Sequence, residues 1–340
     1  MKLFIQIIFI LVIFFKTGNL LSDNNLFNVN NIELKKKDNI SSKQLANSAI
    51  KEAFNQLIQK ILLNRDIDKF TNLSFSNIKN LVTYYNIAKN TENEKNKVTF
   101  SVTFDKDKIH NLFYTKGVSY SVIIDKEFYI LPISLKDNEI FIFSNNYFYE
   151  NWNLNNANDL VEFILPTENI EMIQKINKSR NNLLDLNVKK LFQEYPNKNI
   201  SLAIIEKSND EINKIYLKLI INNKTLSKNL DLKEKNLEII ISKIKDEITN
   251  LVKLQNLIDV RTPSFLNVKF NLDKKNNLVS LNTKLKRVDL IENIFFNELN
   301  KDYVDIKIKY LGKLDILINQ LRTENINLEL FNDQWFIETL

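Results

Sequence analysis

The sequence predicts a mixed α+β protein of three small consecutive units, the middle one a layered α/β domain. Apolar residues recur at helical spacing in some segments and alternate in others, and both kinds of segment follow one another along the 340 residues. A chain of this length is enough for about two to three domains. Its 44% hydrophobic and 26% charged residues are ordinary globular values, so a core of substantial size can be buried.

Residues 1–22, ahead of the three units, have the layout of a secretory signal peptide. Lys2 is followed by an apolar run over residues 3–15 and by a short polar segment that leads to Ser22. A charged start, an apolar stretch of roughly 7–15 residues and a small residue at the cut define such signals. We therefore predict export to the periplasm with cleavage after Ser22. Because a membrane span needs about 20 apolar residues, an uncleaved inner-membrane anchor that uses the two leucines before Ser22 is the alternative.

Residues 24–117 are predicted to form a small α+β domain, beginning with a strand and a helix. Residues 27–34 alternate loosely between apolar and polar, as in a strand. Apolar residues at helical spacing then predict a helix over 41–64. Ser41 and Gln44 at its start have the spacing of a capping box.

The rest of this domain is predicted as helix, strand and helix. Apolar spacing favours a second helix over 75–88, and residues 97–104 alternate cleanly as a half-buried strand. A short third helix follows, capped by Asp105 or Asp107 and ended by Gly117. Glycine is common in the left-handed conformation just past a helix.

Residues 118–260 are richer in strands, and strands alternating with helices predict a layered α/β domain. Three β-rich runs come first. The later predicted elements are a helix near 147–153, a strand over 161–166, helices near 168–179 and 186–195, a strand over 199–207, a hairpin joined at Asn222-Asn223 and a long helix from about 237 to 257.

Residues 264–340 are predicted to form a small two-layer α+β domain after a boundary at Thr262-Pro263-Ser264. Alternation favours strands over 265–272 and 278–285, and helical spacing favours a helix over about 287–299. The remaining predicted elements are a strand that ends at Gly312, a helix over 313–323 and two closing strands.

The segment NNYFYENW, residues 145–152, is the strongest candidate site because it concentrates aromatic residues. Phe148 and Trp152 are four residues apart and share one helix face. Leaving two such side chains in water would forgo several kcal/mol, so we predict that both pack in the core. Tyr147 and Tyr149 are then the candidate partner-binding residues, with at least one of them exposed.

The sequence lacks the residues that most catalytic mechanisms and metal sites require. The absence of cysteine excludes disulfides, thiolate nucleophiles, cysteine zinc sites and a lipoprotein anchor. His110 is the only histidine, so a histidine zinc site lacks ligands, and we expect His110 at the surface or at a helix cap. No cofactor, metal or catalytic residue is predicted.

Paired carboxylates are the one catalytic arrangement that the sequence leaves open. Asp105 with Asp107, and Glu168 with Glu171, have a suitable spacing for glycoside-type hydrolysis. Pairs of this kind are expected by chance among 41 acidic residues. Asp105 and Asp107 suit the cap of a helix, and Glu168 suits a first turn.

Nucleotides and nucleic acids are not expected as partners. Phosphate-binding loops need clustered glycines, and the three glycines are scattered along the chain. The net charge of +6 is mixed along the chain, and the run Lys35-Lys36-Lys37 has no interleaved aromatic residues. A nucleic-acid site needs a clustered basic face.

Several short motifs, taken in order, resemble the bacterial family catalogued as domain of unknown function 2066. The matching residues are AFNQLIQKI, Leu131-Pro132-Ile133, Asn146 with Phe148 and Trp152, Leu165-Pro166 before Asn169-Ile170-Glu171, Tyr310-Leu311-Gly312, and Trp335. This resemblance spans most of the mature chain and implies an exported envelope protein. More loosely, residues 118–260 resemble the N-terminal α/β domain of the periplasmic protein TolB, a likeness of fold alone.

Together these observations predict an exported bacterial envelope protein that is a non-enzymatic binding or assembly module. Its partner is predicted to be an envelope protein or a membrane-associated component. A carboxylate-dependent hydrolase acting in the envelope is one alternative. A membrane-tethered scaffold held by an uncleaved N-terminus is the other.

Overall fold

The computed structural model describes residues 26–35, 41–88, 97–123, 125–137, 139–153, 160–208, 211–272 and 277–340. The predicted signal peptide, residues 1–22, lies outside this part of the chain. Helices and strands are mixed throughout the described residues, and the α+β prediction is confirmed. None of the described helices is long and apolar enough to cross a membrane.

The first segment is a three-stranded antiparallel sheet packed against a long helix. Its elements are β1 (Asn28–Lys35), α1 (Ser42–Ile61), α2 (Asn64–Ile67), α3 (Phe75–Asn80), β2 (Val82–Ala88), β3 (Lys97–Phe104), α4 (Lys106–Lys116) and β4 (Tyr120–Ser121). The strand order β1-β3-β2 makes β2 an edge strand. Ser41 and Gln44 form the predicted capping box, and Gly117 ends α4 in the left-handed conformation.

The predicted helix over 75–88 is wrong in its second half. The helix α3 ends at Asn80, and residues 82–88 form β2 instead. Their sequence, VTYYNIA, is rich in the β-branched and aromatic residues that favour strands. Pairing with β3, which places Tyr85 opposite Val102 and Ile87 opposite Phe100, decides between two patterns that both fit the local spacing.

The middle segment is a mixed sheet with helices on both faces. Its elements are β5 (Glu127–Lys136), β6 (Glu139–Phe141), α5 (Tyr147–Asn151), β7 (Glu162–Ile164), α6 (Ile170–Lys178), α7 (Val188–Leu191), β8 (Asn199–Ser208), β9 (Glu211–Ile221), β10 (Lys224–Glu234) and α8 (Leu237–Gln255). The strand order is β10-β9-β8-β5-β6, with β7 also paired to β5. The hairpin turns at Asn222 and Asn223 as predicted, both with positive φ, the conformation that favours asparagine and glycine in two-residue hairpin loops.

Each face of this sheet carries its own hydrophobic cluster. Successive residues of β8, Leu202 and Ala203, belong to opposite clusters, as the alternation of side chains along a strand requires. The helix α8 covers one face through Ile240, Ile244 and neighbouring apolar residues. The helices α6 and α7 contribute to the cluster on the other face.

The third segment is a five-stranded sheet with two helices. Its elements are β11 (Leu257–Ile258), β12 (Ser264–Asn271), α9 (Leu278–Leu285), β13 (Ile291–Leu299), β14 (Tyr303–Tyr310), α10 (Leu314–Thr323), β15 (Ile326–Phe331) and β16 (Gln334–Thr339). The strand order is β13-β14-β12-β16-β15, with β16 parallel to β12.

Two elements of this segment are predicted with the wrong type. Residues 278–285 form the helix α9 rather than a strand, because Asn277 caps the segment and places Leu281 and Leu285 on one buried face. Residues 291–299 form β13 rather than a helix. Pairing with β14 along most of its length outweighs the helical spacing of its apolar residues, since strand preference depends strongly on cross-strand neighbours.

The first and third segments share a single hydrophobic core. Phe54 and Phe104 of the first segment belong to the same cluster as Phe270 and Leu317 of the third. Between the two, β4 pairs with β11 where the chain leaves for the middle segment and where it returns. We call residues 26–123 and 257–340, where described, the flanking body, and residues 125–256 the inserted domain. The predicted boundaries at 117 and 264 stay a prediction, but packing joins the two outer units.

A buried lysine of α8 fastens the inserted domain to the flanking body. Lys253 Nζ donates hydrogen bonds to the carbonyl oxygens of Gln59, at 2.5 Å, and of Leu62, at 2.9 Å. These carbonyls lie at the C-terminal end of α1, where the helix dipole favours a cation. Burial lowers the pKa of Lys253 to about 8.

Candidate functional site

A buried asparagine positions the predicted aromatic segment. Asn146 begins α5: its Oδ1 accepts a hydrogen bond from the Phe148 backbone N–H at 3.1 Å, as an N-cap does. Its Nδ2 donates to the carbonyl oxygen of Pro132 in β5 at 2.8 Å. One side chain thus starts the helix and fixes it to the sheet.

The prediction that Phe148 and Trp152 pack in the core is confirmed. Both are buried in the cluster under α8, and the Trp152 ring meets the edge of Phe163 at a centroid distance of 6.2 Å. Lys245 Nζ donates to the Trp152 carbonyl oxygen at 2.6 Å. These two aromatic residues therefore anchor α5 within the inserted domain.

The two candidate tyrosines lie in different surroundings. Tyr147 is 39% exposed, so the prediction that at least one of the pair is exposed is confirmed. The Tyr149 hydroxyl donates to the Pro166 carbonyl oxygen at 2.8 Å, and its ring packs edge-on against Phe143. Tyr149 already has a structural role, and partner binding by Tyr147 stays a prediction.

A cleft of about 330 Å³ lies where the first segment meets the third. The helix α4 forms one wall, and the start of β13 with the end of β14 forms the other. Its lining residues are Asp107, His110, Asn111, Tyr114, Val260, Glu292, Asn293 and Lys309. Only folding brings these residues together, and of them the sequence singled out Asp107 and His110 alone.

The expectation that His110 lies at the surface or at a helix cap is wrong. His110 is only 6% exposed; its ring stacks on Tyr120 at 5.3 Å and meets the edge of Phe27 at 5.4 Å between centroids. Burial, together with the neighbouring charge of Lys106, lowers the pKa of His110 to about 4. The imidazole is therefore neutral near pH 7.

Two lysines at the cleft make polar contacts with the start of β13. Lys309 Nζ forms an ion pair with Glu292 at 2.8 Å. Lys106 Nζ donates to the Ile291 carbonyl oxygen, and burial lowers the Lys106 pKa although Asp289, Asp107 and Glu292 oppose that shift. The first segment is thereby held to the start of β13 by polar contacts as well as by the shared core.

The chemistry available in this cleft suits hydrogen bonding better than catalysis. A general base works best with a pKa near the operating pH, and a histidine with a pKa of about 4 is a weak base. None of the described residues that line the cleft is a serine or threonine nucleophile. Asp107 and Glu292 do line the same cleft, so two carboxylates face a common space.

Exposed aromatic residues lie on the solvent side of the third sheet. Along β14, alternate residues are buried, and Lys307 lies on the opposite, outer side. Cross-strand pairing sets Phe295 directly beside Lys307, and Lys307 Nζ lies 4.7 Å from the ring centroid of Phe265. Phe265 is 53% exposed and Phe295 44%. We call Phe265, Phe295 and Lys307 the aromatic face.

The aromatic face and the cleft form one continuous surface. Lys309, which lines the cleft, pairs across strands with Phe265 on one side and Asn293 on the other. The row Asn293, Lys309 and Phe265 therefore links the cleft to the open sheet. Phe265 stands at a position of β12 whose neighbours Leu266 and Val268 face inward, so alternation alone could have identified it as an outward phenylalanine.

The acidic pairs that the sequence singled out have local roles. Asp105 is the N-cap of α4 and accepts from the Lys108 backbone N–H. Asn169 caps α6, with Glu171 in the first turn, and Glu168 accepts a 3.4 Å hydrogen bond from Ser144. No group of three or more potential metal ligands comes together among the described residues.

Comparison with protein-family models, with curated proteins and with solved structures found no match for this chain. The resemblance to domain of unknown function 2066 therefore rests on the short motifs alone.

Proposed function

We propose that this chain is an exported envelope protein that acts by binding a partner, an envelope protein or a membrane-associated component, through the aromatic face. The observation that carries the proposal is the exposure of Phe265 and Phe295 on either side of Lys307. Burying one large aromatic side chain removes about 150–250 Å² from water, at about 25 cal/mol per Å². Two of them on an open sheet offer several kcal/mol to a partner.

The composition of this surface suits protein recognition. Interface cores are enriched in aromatic residues, and a few such residues carry most of the binding energy. Lys307 adds a cation between two aromatic rings, which favours an anionic group on the partner. The neighbouring cleft adds polar groups from Asn111, Asn293 and Tyr114, which can fix the orientation of what binds.

Export to the periplasm and membership of the family domain of unknown function 2066 belong to the same proposal. The layout of residues 1–22 supports export, and the ordered motifs support the family. Mass spectrometry of the N-terminus of protein purified from an expressing bacterium tests export. A mature chain that begins after Ser22 is expected. An intact Met1 on protein found in the cytoplasm would contradict it.

The binding proposal is tested by crosslinking the exported protein in the envelope of its host and purifying the adducts. Replacing both Phe265 and Phe295 by alanine should reduce a specific adduct by about tenfold or more, since a lost aromatic contact of 1.4 kcal/mol already costs tenfold. Phe331→Ala is the matched control, because Phe331 is an exposed phenylalanine on the far edge strand of the same sheet. Equal adduct yields from all three proteins would refute the proposal.

A carboxylate-dependent hydrolase acting in the envelope is the second candidate, because Asp107 and Glu292 line one cleft. Such enzymes use one carboxyl group as acid and another as base or nucleophile. Incubation with isolated envelope polymer, followed by analysis of released fragments, tests it. Release by the parent protein that is lost in both Asp107→Asn and Glu292→Gln would favour the enzyme over the binding module.

A further inference from the structure

The free edge of β2 has no charge or proline, and the register shift in its pairing with β3 lies at the start of the strand, between Val82 and Tyr84. Natural edges carry charged residues, proline or bulges. The strand β2, VTYYNIA, contains no charged residue, proline or glycine. The other edge strands of the three larger described sheets all carry charge: β1, β6, β10, β13 and β15.

Two apolar side chains of β2 belong to the core face of the sheet and yet reach solvent. Tyr85 lies opposite Val102 and Ile87 opposite Phe100, and residues opposite one another in an antiparallel pair share a face. Val102 and Phe100 are buried. Tyr85 is 44% exposed and Ile87 51%, so within the described part of the chain the layer that covers the core face does not cover β2.

We propose that β2 pairs antiparallel with β2 of a second copy of this chain, joining two three-stranded sheets into one of six strands. A two-fold axis sets the strand against itself, so any charge near the axis meets its own copy. Self-pairing therefore suits an uncharged edge, and it disfavours β13, which carries Glu292 and Glu298. A strand of a different protein could form no ion pair with β2, because β2 has no charged residue.

This joint, the pair of β2 strands from the two copies, also covers the exposed part of the core face. When two sheets continue across a shared edge, their faces align, and the Tyr85 and Ile87 side chains of both copies become neighbours. Aromatic and β-branched residues make favourable cross-strand pairs. A joint of seven residues per copy is small beside stable interfaces of about 1,200–2,000 Å², so the dimer should dissociate on dilution.

Sedimentation velocity of the full chain, purified from an expressing host, tests this proposal over roughly two decades of concentration. The parent is expected to shift from monomer to dimer as concentration rises. Tyr85→Lys places a cation near its own copy at the axis and should weaken dimerisation by at least about tenfold. The control Ile239→Lys, at a site 42% exposed in the inserted domain, should dimerise like the parent.

Circular dichroism of each variant establishes that it folds, and Ile87→Lys replaces Tyr85→Lys if the latter unfolds. Slower amide exchange in residues 82–88 of the parent at high concentration is expected as the second readout. A parent that stays monomeric throughout, or a dimer that survives both lysine variants, overturns the proposal. A monomer crosslinked at β2 to a different polypeptide would also overturn it, and would assign the edge to strand addition by a foreign partner.

Discussion

The inserted domain and the flanking body build their hydrophobic cores in different ways. The inserted domain is one continuous stretch of chain, and its sheet buries a hydrophobic cluster on each face. The flanking body is assembled from two stretches separated by that whole domain, and both contribute to one cluster. Proximity in sequence thus accounts for the first core and not for the second.

This difference affects how the two regions depend on each other. Contacts between distant segments require loop closure before they stabilise anything. A folded inserted domain brings its own ends together, and the pairing of β4 with β11 lies at that point. We infer that the flanking body depends on the inserted domain more than the reverse.

Removing a large side chain from the shared core should give the largest effect and the sharpest contrast. Phe270→Ala empties a fully buried position of the shared cluster and is expected to cost about 3–5 kcal/mol. Hydrogen exchange should accelerate in both β3 and β14, which are far apart in sequence, while α8 keeps its protection. Exchange by mass spectrometry in mild denaturant measures this.

Phe128→Ala is the matched change in the inserted domain, where Phe128 is equally well buried. It should accelerate exchange first in β5 and α8. If Phe270→Ala left the first segment fully protected, the two outer segments would not form one cooperative unit, and the description of a single flanking body would be wrong.

Acid should weaken the flanking body through His110, the next largest effect. The folded pKa of His110 is about 4, and an unfolded histidine has a pKa near 6.5. Between these values the unfolded chain binds more protons than the folded one, so stability falls as pH falls from about 6.5 to about 4. The full contribution is up to about 3 kcal/mol, since one pKa unit is worth 1.36 kcal/mol.

His110→Gln removes this titration while keeping a polar side chain. Urea unfolding at a series of pH values measures the free energy of unfolding. Between pH 6.5 and 4 this free energy should fall less steeply for the variant than for the parent. Other groups near the site, including Lys106, Tyr120, Asp289 and Glu292, are present in both proteins, so the difference isolates His110. An equal loss of unfolding free energy with falling pH in both proteins would show that His110 is not buried as a neutral group.

Local patterns predicted the elements whose residues show one clear periodicity, and failed where helical and strand patterns both fit. The strand over 97–104, the capping box at Ser41 and the hairpin at Asn222-Asn223 form as predicted. Residues 82–88 and 291–299 have helical spacing but are strands because β3 and β14 pair with them. Both partner strands are close in sequence, but the periodicity of residues 82–88 or 291–299 taken alone does not show the pairing.

The candidate site shows the same division. The burial of Phe148 and Trp152 follows from their spacing on one short helix, and the structure confirms it. The cleft requires α4 to meet β13, a contact between residues almost two hundred positions apart. The sequence predicts β13 as a helix, and a helix there does not place Phe295 beside Lys307. The aromatic face therefore could not be predicted.

The smallest effect is expected at Lys253, the lysine that joins the two regions. Lys253→Met removes two hydrogen bonds to the end of α1 and also removes a buried charge. Because these changes oppose each other, stability near pH 7 should change by no more than about 1 kcal/mol. The variant should differ from the parent mainly in its response to alkaline pH.

That response has a definite sign. The folded pKa of Lys253 is about 8, against 10.5 for a free lysine, so between these values the unfolded chain binds more protons and parental stability gains from rising pH. Lys253→Met should lack this gain in stability. Amide hydrogen exchange should also be faster at the C-terminal end of α1. Lys245→Met is the control, because Lys245 is also buried on α8 but bonds to Trp152 within the inserted domain. If both variants changed α1 equally, Lys253 would not be the link between the regions.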